Sequence, residues 1–249
     1  MKGKPSRTAR LHVEEELRPG TRLVLPEEAA HHATRVLRLG AGDALMLFDG
    51  RGGEYEARIV ALERGRASVA VEAHQARERE SPLAVTLMQG ISSGEKMDFT
   101  IQKAVELGVA VIQPVLTGKS RVRLTEHRRV AKLAHWRRVV TAACEQCGRN
   151  RIPAVREPRE LGVCLEDLES GPPRVLLAAD GNETLAQAAG AGTRAIVLAA
   201  GPEAGFSAAE EALLVRAGFV RVRLGPRVLR TETAALAALA ALNALRGDF

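Results

Sequence analysis

The chain of 249 residues has a mass of 26.7 kDa, a formal net charge of +6 and 46% hydrophobic but only 3% aromatic residues. This length suits one large domain or two smaller ones, and the hydrophobic fraction excludes a wholly disordered chain. No run of about 18 apolar residues occurs, which excludes a membrane-spanning helix. The basic segment 1–10 is not followed by an apolar stretch, so we expect no secretory signal. Three cysteines are too few for a disulfide scaffold, and we expect a cytoplasmic location.

The positive charge of the chain is concentrated in one central block. Residues 119–159 contain 12 Lys or Arg against three Asp or Glu, whereas residues 160–220 contain three against nine. Arginine supplies 30 of the 36 basic residues, and its guanidinium group binds a phosphate through two parallel hydrogen bonds. The block therefore indicates contact with a nucleic-acid backbone. A solvated helix face is the alternative, and a charge run taken alone favours it.

The first 75 residues have the pattern of a small β-rich domain. A strand at 21–25 leads into a helix at 26–39, which starts with Pro26 and two acids and ends before Gly40. Further strands are predicted at 44–48, 54–62 and 67–73. Residues 72–82 are rich in Glu, Arg and Gln, a composition that is typical of a linker.

From residue 83 the chain alternates between apolar strands and helices. The strands are predicted at 83–90, 109–116, 175–179, 195–200 and 219–224, and the helices at 97–107, 126–147 and 232–245. This alternation predicts an α/β domain with a mostly parallel sheet covered on both faces. The helix at 126–147 has an apolar stripe that includes Val130 and Leu133. The helix at 232–245 is almost without charge, so it must be buried in this chain or against a partner.

The segment after the strand at 195–200 has the features of a ligand-binding turn. Residues 201–205, Gly-Pro-Glu-Ala-Gly, follow the strand, and Ser207 with Glu210 forms a capping box for the next helix. Ligands of open α/β sheets bind at the carboxyl ends of the strands. The segment lacks the Lys-Ser/Thr of a phosphate-binding loop and the spacing of a dinucleotide fingerprint, which argues against ATP and NAD. An ordinary strand-to-helix turn is the alternative.

A second turn of this kind follows the strand at 219–224. A Gly-Pro pair begins it, and Thr231 is the predicted N-cap of the last helix, with Glu232 at the positive end of the helix dipole. We expect Arg230 and Glu232 to lie beside the first turn, in one pocket. A capped helix with a surface arginine is the alternative.

The cysteines and histidines of the chain do not predict a metal site. Cys144 and Cys147 have CxxC spacing but no second pair, and they lie near the end of a helix, so structural cysteines are favoured over zinc or redox chemistry. His31 and His32 lack carboxylate or cysteine partners. We therefore expect no metal. The basic loop at 148–151, next to the cysteines, is a candidate phosphate contact.

Four segments of the chain together carry a family resemblance. They are residues 97–108, 145–151, 201–203 and 224–234, the last reading Leu-Gly-Pro-Arg-Val-Leu-Arg-Thr-Glu-Thr-Ala. In this order and spacing the set closely resembles the bacterial 16S ribosomal RNA uridine N3-methyltransferases of the SPOUT (trefoil-knot) superfamily. The resemblance covers essentially the whole chain, and the segment 224–234 is its most specific part.

This resemblance implies a fold, an activity and partners. The fold is α/β, with a PUA-like β-barrel RNA-binding domain at 1–75 and a SPOUT trefoil-knot methyltransferase domain at 76–249. The activity is methylation of N3 of a uridine in 16S rRNA, as free RNA or in the 30S subunit, with S-adenosyl-L-methionine (SAM) as cofactor. The family also implies a homodimer with the active site near the dimer interface, and no membrane association.

The resemblance further implies which residues form the site. The cofactor pocket would be lined by Leu198, Ala200, Gly201, Glu203, Leu224, Gly225, Leu229, Arg230 and Thr231. Arg230 is the candidate for stabilising the substrate anion, and Glu203 and Glu232 are the candidate proton acceptors. The candidate RNA contacts in the basic block are Arg121, Arg123, Arg128, Arg129, Arg149 and Arg151. Ala204 stands where the family usually has glycine, and a positive φ there would cost alanine about 1 kcal/mol.

Two other classes of function stay open. A related SPOUT enzyme that modifies a different nucleotide or a ribose O2′ would share the fold and the cofactor. A non-catalytic RNA-binding or ribosome-assembly protein would bind RNA without binding SAM.

Overall fold

The chain divides into two structural units in a computed structural model that describes residues 8–63, 65–120 and 125–249. The N-terminal unit comprises Met1–Glu80 and Cys144–Ile152, and the C-terminal unit comprises Ser81–Ala143 and Pro153–Phe249. The sequence did not predict that Cys144–Ile152 groups with the N-terminal unit. The functional domain boundary at residue 75 stays a prediction.

The N-terminal unit is built on a five-stranded sheet in the order β1-β3-β4-β5-β2. Its strands are β1 (Arg10–His12), β2 (Arg22–Val24), β3 (Ala44–Phe48), β4 (Glu54–Glu63) and β5 (Arg66–Gln75). β1 and β3 are parallel, and the other pairs are antiparallel. Alternate residues of β5, such as Val69 and Val71, are buried, as a half-buried strand requires. Together with Leu11, Leu47 and Ile59 they form the core of this unit.

The helix predicted at 26–39 is shorter than expected. It comprises α1 (Glu27–His31) and a π-helical turn at His32–Val36. Arg38 has a φ of 56°, outside the helical region, so the chain leaves the helix before Gly40.

The segment predicted as a linker is held by a buried carboxylate. The Glu54 side chain, 1% exposed, accepts hydrogen bonds at 3.1 Å from Nη1 of Arg77 and from Nη1 of Arg79, and it also pairs with Arg10. Burial alone would raise the pKa of Glu54, but the hydrogen bonds and charges of Arg79 and Arg10 hold it below its usual value. Residues 77–79 are therefore part of the N-terminal unit, and the linker prediction is wrong for them.

The C-terminal unit contains a seven-stranded sheet in which every pair of strands is parallel. Its strands are β6 (Ala84–Gly90), β7 (Val111–Leu116), β8 (Ala154–Val155), β9 (Arg159–Glu160), β10 (Arg174–Leu177), β11 (Ala195–Ala200) and β12 (Phe219–Val222). The order is β12-β10-β11-β6-β7-β8, and β9 also pairs with β7. The predicted parallel α/β sheet is confirmed. Because β6, β10, β11 and β12 run in one direction, the turns that follow them lie at one edge.

Six helices accompany this sheet among the described residues. They are α2 (Gly94–Glu106), α3 (Glu126–Cys147), α4 (Leu161–Glu166), α5 (Leu185–Ala189), α6 (Ala208–Arg216) and α7 (Thr231–Arg246). The apolar helix α7 buries Ala235, Leu239 and Leu242 and packs against α2 and α5 of the same chain. In α3 the predicted apolar stripe is wrong at Val130, which is 63% exposed. None of the described helices has the length and apolarity that crossing a membrane would require.

Candidate cofactor pocket and active site

A cleft opens where β10 and β12 end. Its walls come from the residues after these two strands and from the first turn of α7, and they are mainly apolar. The lining residues are Leu177, Ala178, Ala179, Val222, Arg223, Leu224, Arg227, Val228, Leu229 and Ala234. Leu224 and Leu229 were predicted to line a cofactor pocket. The wall from β10 was missed, because only the sheet order shows that β10 lies between β11 and β12.

The two predicted turns are joined at the start of α7. The Thr231 hydroxyl donates to the carbonyl oxygen of Gly201 in the first turn. The amide nitrogen of Gln89, at the end of β6, donates to the same carbonyl at 3.3 Å and to Oγ1 of Thr231 at 3.1 Å. Thr231 was predicted as the N-cap of α7, and this is wrong: the N-cap is Arg230, and the Thr231 hydroxyl bonds across to the first turn. Gln89 was missed by sequence reasoning.

Glu203 ties the first turn to the N-terminus of α2. Its Oε1 accepts hydrogen bonds from the backbone N–H of Ser93 at 3.1 Å and from the Ser93 hydroxyl at 2.8 Å, and Lys96 Nζ lies 3.4 Å away. Burial alone would raise the pKa of Glu203, but these hydrogen bonds and the Lys96 charge lower it to about 2. A carboxylate with this pKa binds a proton weakly, which argues against proton transfer. Its bonds to Ser93 favour a role in positioning the first turn.

Arg230 and Glu232 occupy neighbouring positions at the start of α7. Arg230 is exposed, and its side chain makes no ion pair with the described residues. Glu232 lies in the first turn of α7, and its Oε2 is buried without a hydrogen-bond partner in the described part of the chain. A free guanidinium group and a partly buried carboxylate therefore flank the residue that connects the two turns.

The remaining predicted cofactor residues differ in accessibility. Leu198 and Ala200 are at most 2% exposed, so their side chains belong to the core around β11. Gly201 is packed so closely that an added Cβ would lie 2.9 Å from the Cα of Gly205. Gly225 has a positive φ of 78°, which glycine adopts without strain. Ala204 is not among the described residues with positive φ, so the expected strain at this position does not arise.

Two family matches decide what kind of protein carries this site. Residues 79–243 match the RNA methyltransferase domain, and residues 25–72 match the RNA methyltransferase PUA domain. The chain belongs to the RNA methyltransferase family. The methyltransferase match includes both turns, α2 and most of α7. The PUA match includes α1, β3, β4 and most of β5 of the N-terminal unit.

Relatives of this methyltransferase cover nearly its whole length. It is 31% identical to the ribosomal RNA small subunit methyltransferase E of Buchnera aphidicola, over 99% of this chain and 97% of that protein. A crystal structure of a ribosomal RNA small subunit methyltransferase E from Neisseria gonorrhoeae bound to SAM is 40% identical, with a TM-score of 0.91 over 98% of this chain and 100% of that one. A Legionella pneumophila protein solved with SAM has a TM-score of 0.94 at 38% identity, over 98% of this chain and 100% of that one.

The predicted RNA-binding arginines of the methyltransferase fall into three groups. Arg121 and Arg123 lie outside the described residues. On α3, Arg128 is exposed, whereas Arg129 is half-buried and lies 3.8 Å from Glu126. Arg151 is 57% exposed.

The burial and pairing of Arg149 argue against a direct contact with RNA. It is 5% exposed, and its guanidinium group binds both carboxylate oxygens of Glu80. An arginine that is buried and paired in this way has no free donor surface for a phosphate. Sequence reasoning could not separate Arg149 from Arg151, because the ion pair that buries Arg149 is made with Glu80, a residue distant in sequence.

The CxxC pair is consistent with structural cysteines. Burial raises the pKa of Cys144 to about 12, so its thiol is protonated and unreactive near neutral pH. No disulfide forms, since Cys144, Cys147 and Cys164 are all free.

Proposed function

We propose that this methyltransferase transfers the methyl group of SAM to N3 of a uridine in 16S rRNA. The observation that carries the proposal is the junction of two turns, through Gln89 and Thr231, beside an apolar cleft at the carboxyl edge of a parallel sheet. The similarity to ribosomal RNA small subunit methyltransferases supports the small-subunit rRNA substrate, and the SAM in two similar structures supports the cofactor.

The chemistry of the cleft suits SAM. Apolar walls such as Leu177 and Leu229 suit the flat adenine ring. Leu224 and Leu229 would hold the cofactor, with backbone groups of Gly201 and Gly225 at the two turns. When bound, SAM supplies an electrophilic sulfonium methyl group, so alignment with the acceptor nitrogen is the main task of the protein.

The residues at the start of α7 supply the polar chemistry. N3–H of uracil is weakly acidic, so it must lose its proton as the nitrogen attacks. We assign proton acceptance to the Glu232 carboxylate and stabilisation of the anionic uracil to the Arg230 guanidinium group. Glu203 holds the first turn in place. Because N3 lies on the Watson–Crick edge, the target uridine must be unpaired or turned out of its helix.

The RNA partner and the assembly are part of the same proposal. Arg128 on α3 and Arg151 in the N-terminal unit have exposed guanidinium groups for backbone phosphates, and the 30S subunit is a candidate form of the substrate. The family resemblance supports a knotted methyltransferase domain in a homodimer with the active site near its interface. An rRNA substrate supports a cytoplasmic location.

Methyl transfer from labelled SAM tests the proposal. Unmodified 30S subunits and naked 16S rRNA are compared as substrates, and mass spectrometry of digested RNA locates the modified nucleotide. A product without N3-methyluridine would contradict the proposed substrate atom, and absence of both transfer and SAM binding would contradict the enzyme class.

Two substitutions test the assigned roles. We expect Arg230→Ala and Glu232→Gln each to lower kcat by about 100-fold while the Kd of SAM, measured by calorimetry, changes little. Arg216→Ala is the matched control, because Arg216 ends α6 and lies before β12, at the opposite edge of the sheet. Full activity of Arg230→Ala would overturn its assignment.

A further inference from the structure

We propose that Gln89 is a positioning residue that sets the relative geometry of the two cofactor turns, and with it the affinity for SAM. The inference rests on the proposed function, because it concerns the same pocket. It adds a residue on β6, a strand that carries none of the predicted site residues.

Gln89 lies where three parts of the C-terminal unit meet. Within β6 it pairs with Ala200 of β11 and with Pro114 of β7. Its amide nitrogen donates to the carbonyl oxygen of Gly90 at 3.0 Å, to that of Gly201 at 3.3 Å and to the hydroxyl of Thr231 at 3.1 Å. One side-chain amide therefore links the end of β6, the first turn and the start of α7.

Packing alone does not explain why a glutamine is buried at position 89. The side chain is 0% exposed, and its Oε1 has no hydrogen-bond partner in the described part of the chain. A buried acceptor without a partner destabilises the folded state. An apolar side chain of similar size would not carry this free-energy cost. An apolar residue cannot replace the two N–H groups that the three acceptor oxygens share, and two of the three acceptors belong to residues of the predicted cofactor pocket.

Removing the amide changes the pocket without removing any of its walls. The Gly201 carbonyl and the Thr231 hydroxyl would still bond to each other, but the side-chain hydrogen bonds that tie this pair to β6 would be lost. The first turn and the start of α7 would then move relative to the cleft, and a small displacement of a binding group lowers affinity markedly.

Gln113 on the neighbouring strand β7 provides a matched control. It is 5% exposed, and its amide nitrogen donates at 2.9 Å to the carbonyl of the next residue, Pro114, and at 2.9 Å to that of Glu157. Gln89 and Gln113 thus share residue type, burial and a bond to the following carbonyl. Only Gln89 is bonded to the two turns.

The experiment compares full-length Gln89→Leu and Gln113→Leu by thermal unfolding, SAM calorimetry and steady-state methyl transfer. We expect similar losses of Tm in both, a rise of about tenfold or more in Kd and KM for SAM in Gln89→Leu alone, and a kcat at saturating SAM that stays within about threefold. Adding Thr231→Val to Gln89→Leu should raise Kd by less than the product of the single effects, because both changes break one cluster.

The outcomes separate this inference from the function it rests on. Unchanged SAM affinity in Gln89→Leu, or an equal loss in Gln113→Leu, would overturn the positioning role. Wild-type protein that binds no SAM would instead overturn the proposed function, and the inference would fall with it.

Discussion

β6 ends in a glycine, Gly90, because this residue lies in close contact with the first turn. A Cβ added at Gly90 would lie 2.5 Å from both the Cδ and the nitrogen of Pro202, which is a steric clash. The neighbour is backbone and a proline ring, neither of which can rotate away. Glycine is therefore required at this position by space and not by backbone conformation, since its φ is not positive.

Gly90→Ala should therefore displace the first turn. We expect the Kd of SAM to rise by about tenfold, with a Tm loss typical of an overpacked site. Gly94→Ala is the control, because Gly94 begins α2 and an added Cβ there meets nothing within 4 Å. Calorimetry and thermal unfolding of the two variants measure the difference. Equal SAM affinity in both would contradict the contact as the cause.

Glu203 provides a second prediction for a single residue. Its pKa of about 2 keeps it ionised throughout the neutral range, so it contributes no titration to the rate of methyl transfer. We expect Glu203→Gln to lower kcat by no more than about threefold and to leave the pH dependence of kcat unchanged. A loss of about 100-fold together with the disappearance of a pH limb would make Glu203 the proton acceptor after all.

At the scale of secondary-structure elements, one buried carboxylate joins several parts of the N-terminal unit. Glu54 at the start of β4 pairs with Arg10 of β1 and with two arginines beyond β5. Its side chain is almost fully buried, so removing its charge takes one ion-pair partner from Arg10, which is itself 8% exposed. The segment that follows β5 is held by these pairs together with further hydrogen bonds, among them one from the Asn150 amide to the carbonyl of Arg77.

The stability of the N-terminal unit should depend on pH through Glu54. Because the folded-state pKa of Glu54 lies below its ordinary value of 4.5, its contribution is present above pH 4.5 and is lost as the pH falls through the lowered pKa. We expect Glu54→Gln to destabilise the protein by about 3 kcal/mol at pH 7. Urea unfolding from neutral to acidic pH should show the difference from wild type shrinking. A pH-independent difference would contradict the charge as its origin.

At the scale of the whole molecule, local sequence patterns predicted the helices and strands, whereas tertiary contacts determine which residues form the site. The helix at 126–147 and the strand at 195–200 were predicted at their observed bounds, because long apolar periodicity and a buried β-branched run are local signals. The capping box of Ser207 and Glu210 is confirmed, since both hydrogen bonds form within four residues. The short helices α4 and α5 were missed, because five or six residues carry too little periodicity.

The candidate site was predictable only where its residues are close in sequence. Both turns followed from strands that end in Gly-Pro, whereas the wall from Leu177 to Ala179 depends on sheet order. Gln89 lies 112 residues from Gly201 and 142 from Thr231, and no local pattern connects them. Arg149 was assigned to RNA because its charge is visible in the sequence and its pairing with Glu80 is not.

The position of β6 between β7 and β11 has a consequence for synthesis of the chain. β7 follows β6 directly, but β11 begins at Ala195, more than a hundred residues after β6 ends. During translation, one edge of the apolar strand β6 therefore has no partner strand until β11 has been synthesised. Parallel pairing over such a separation is slow, and an open apolar edge is prone to aggregate. The edge of β6 that pairs with β11 is therefore completed only late in synthesis of the chain.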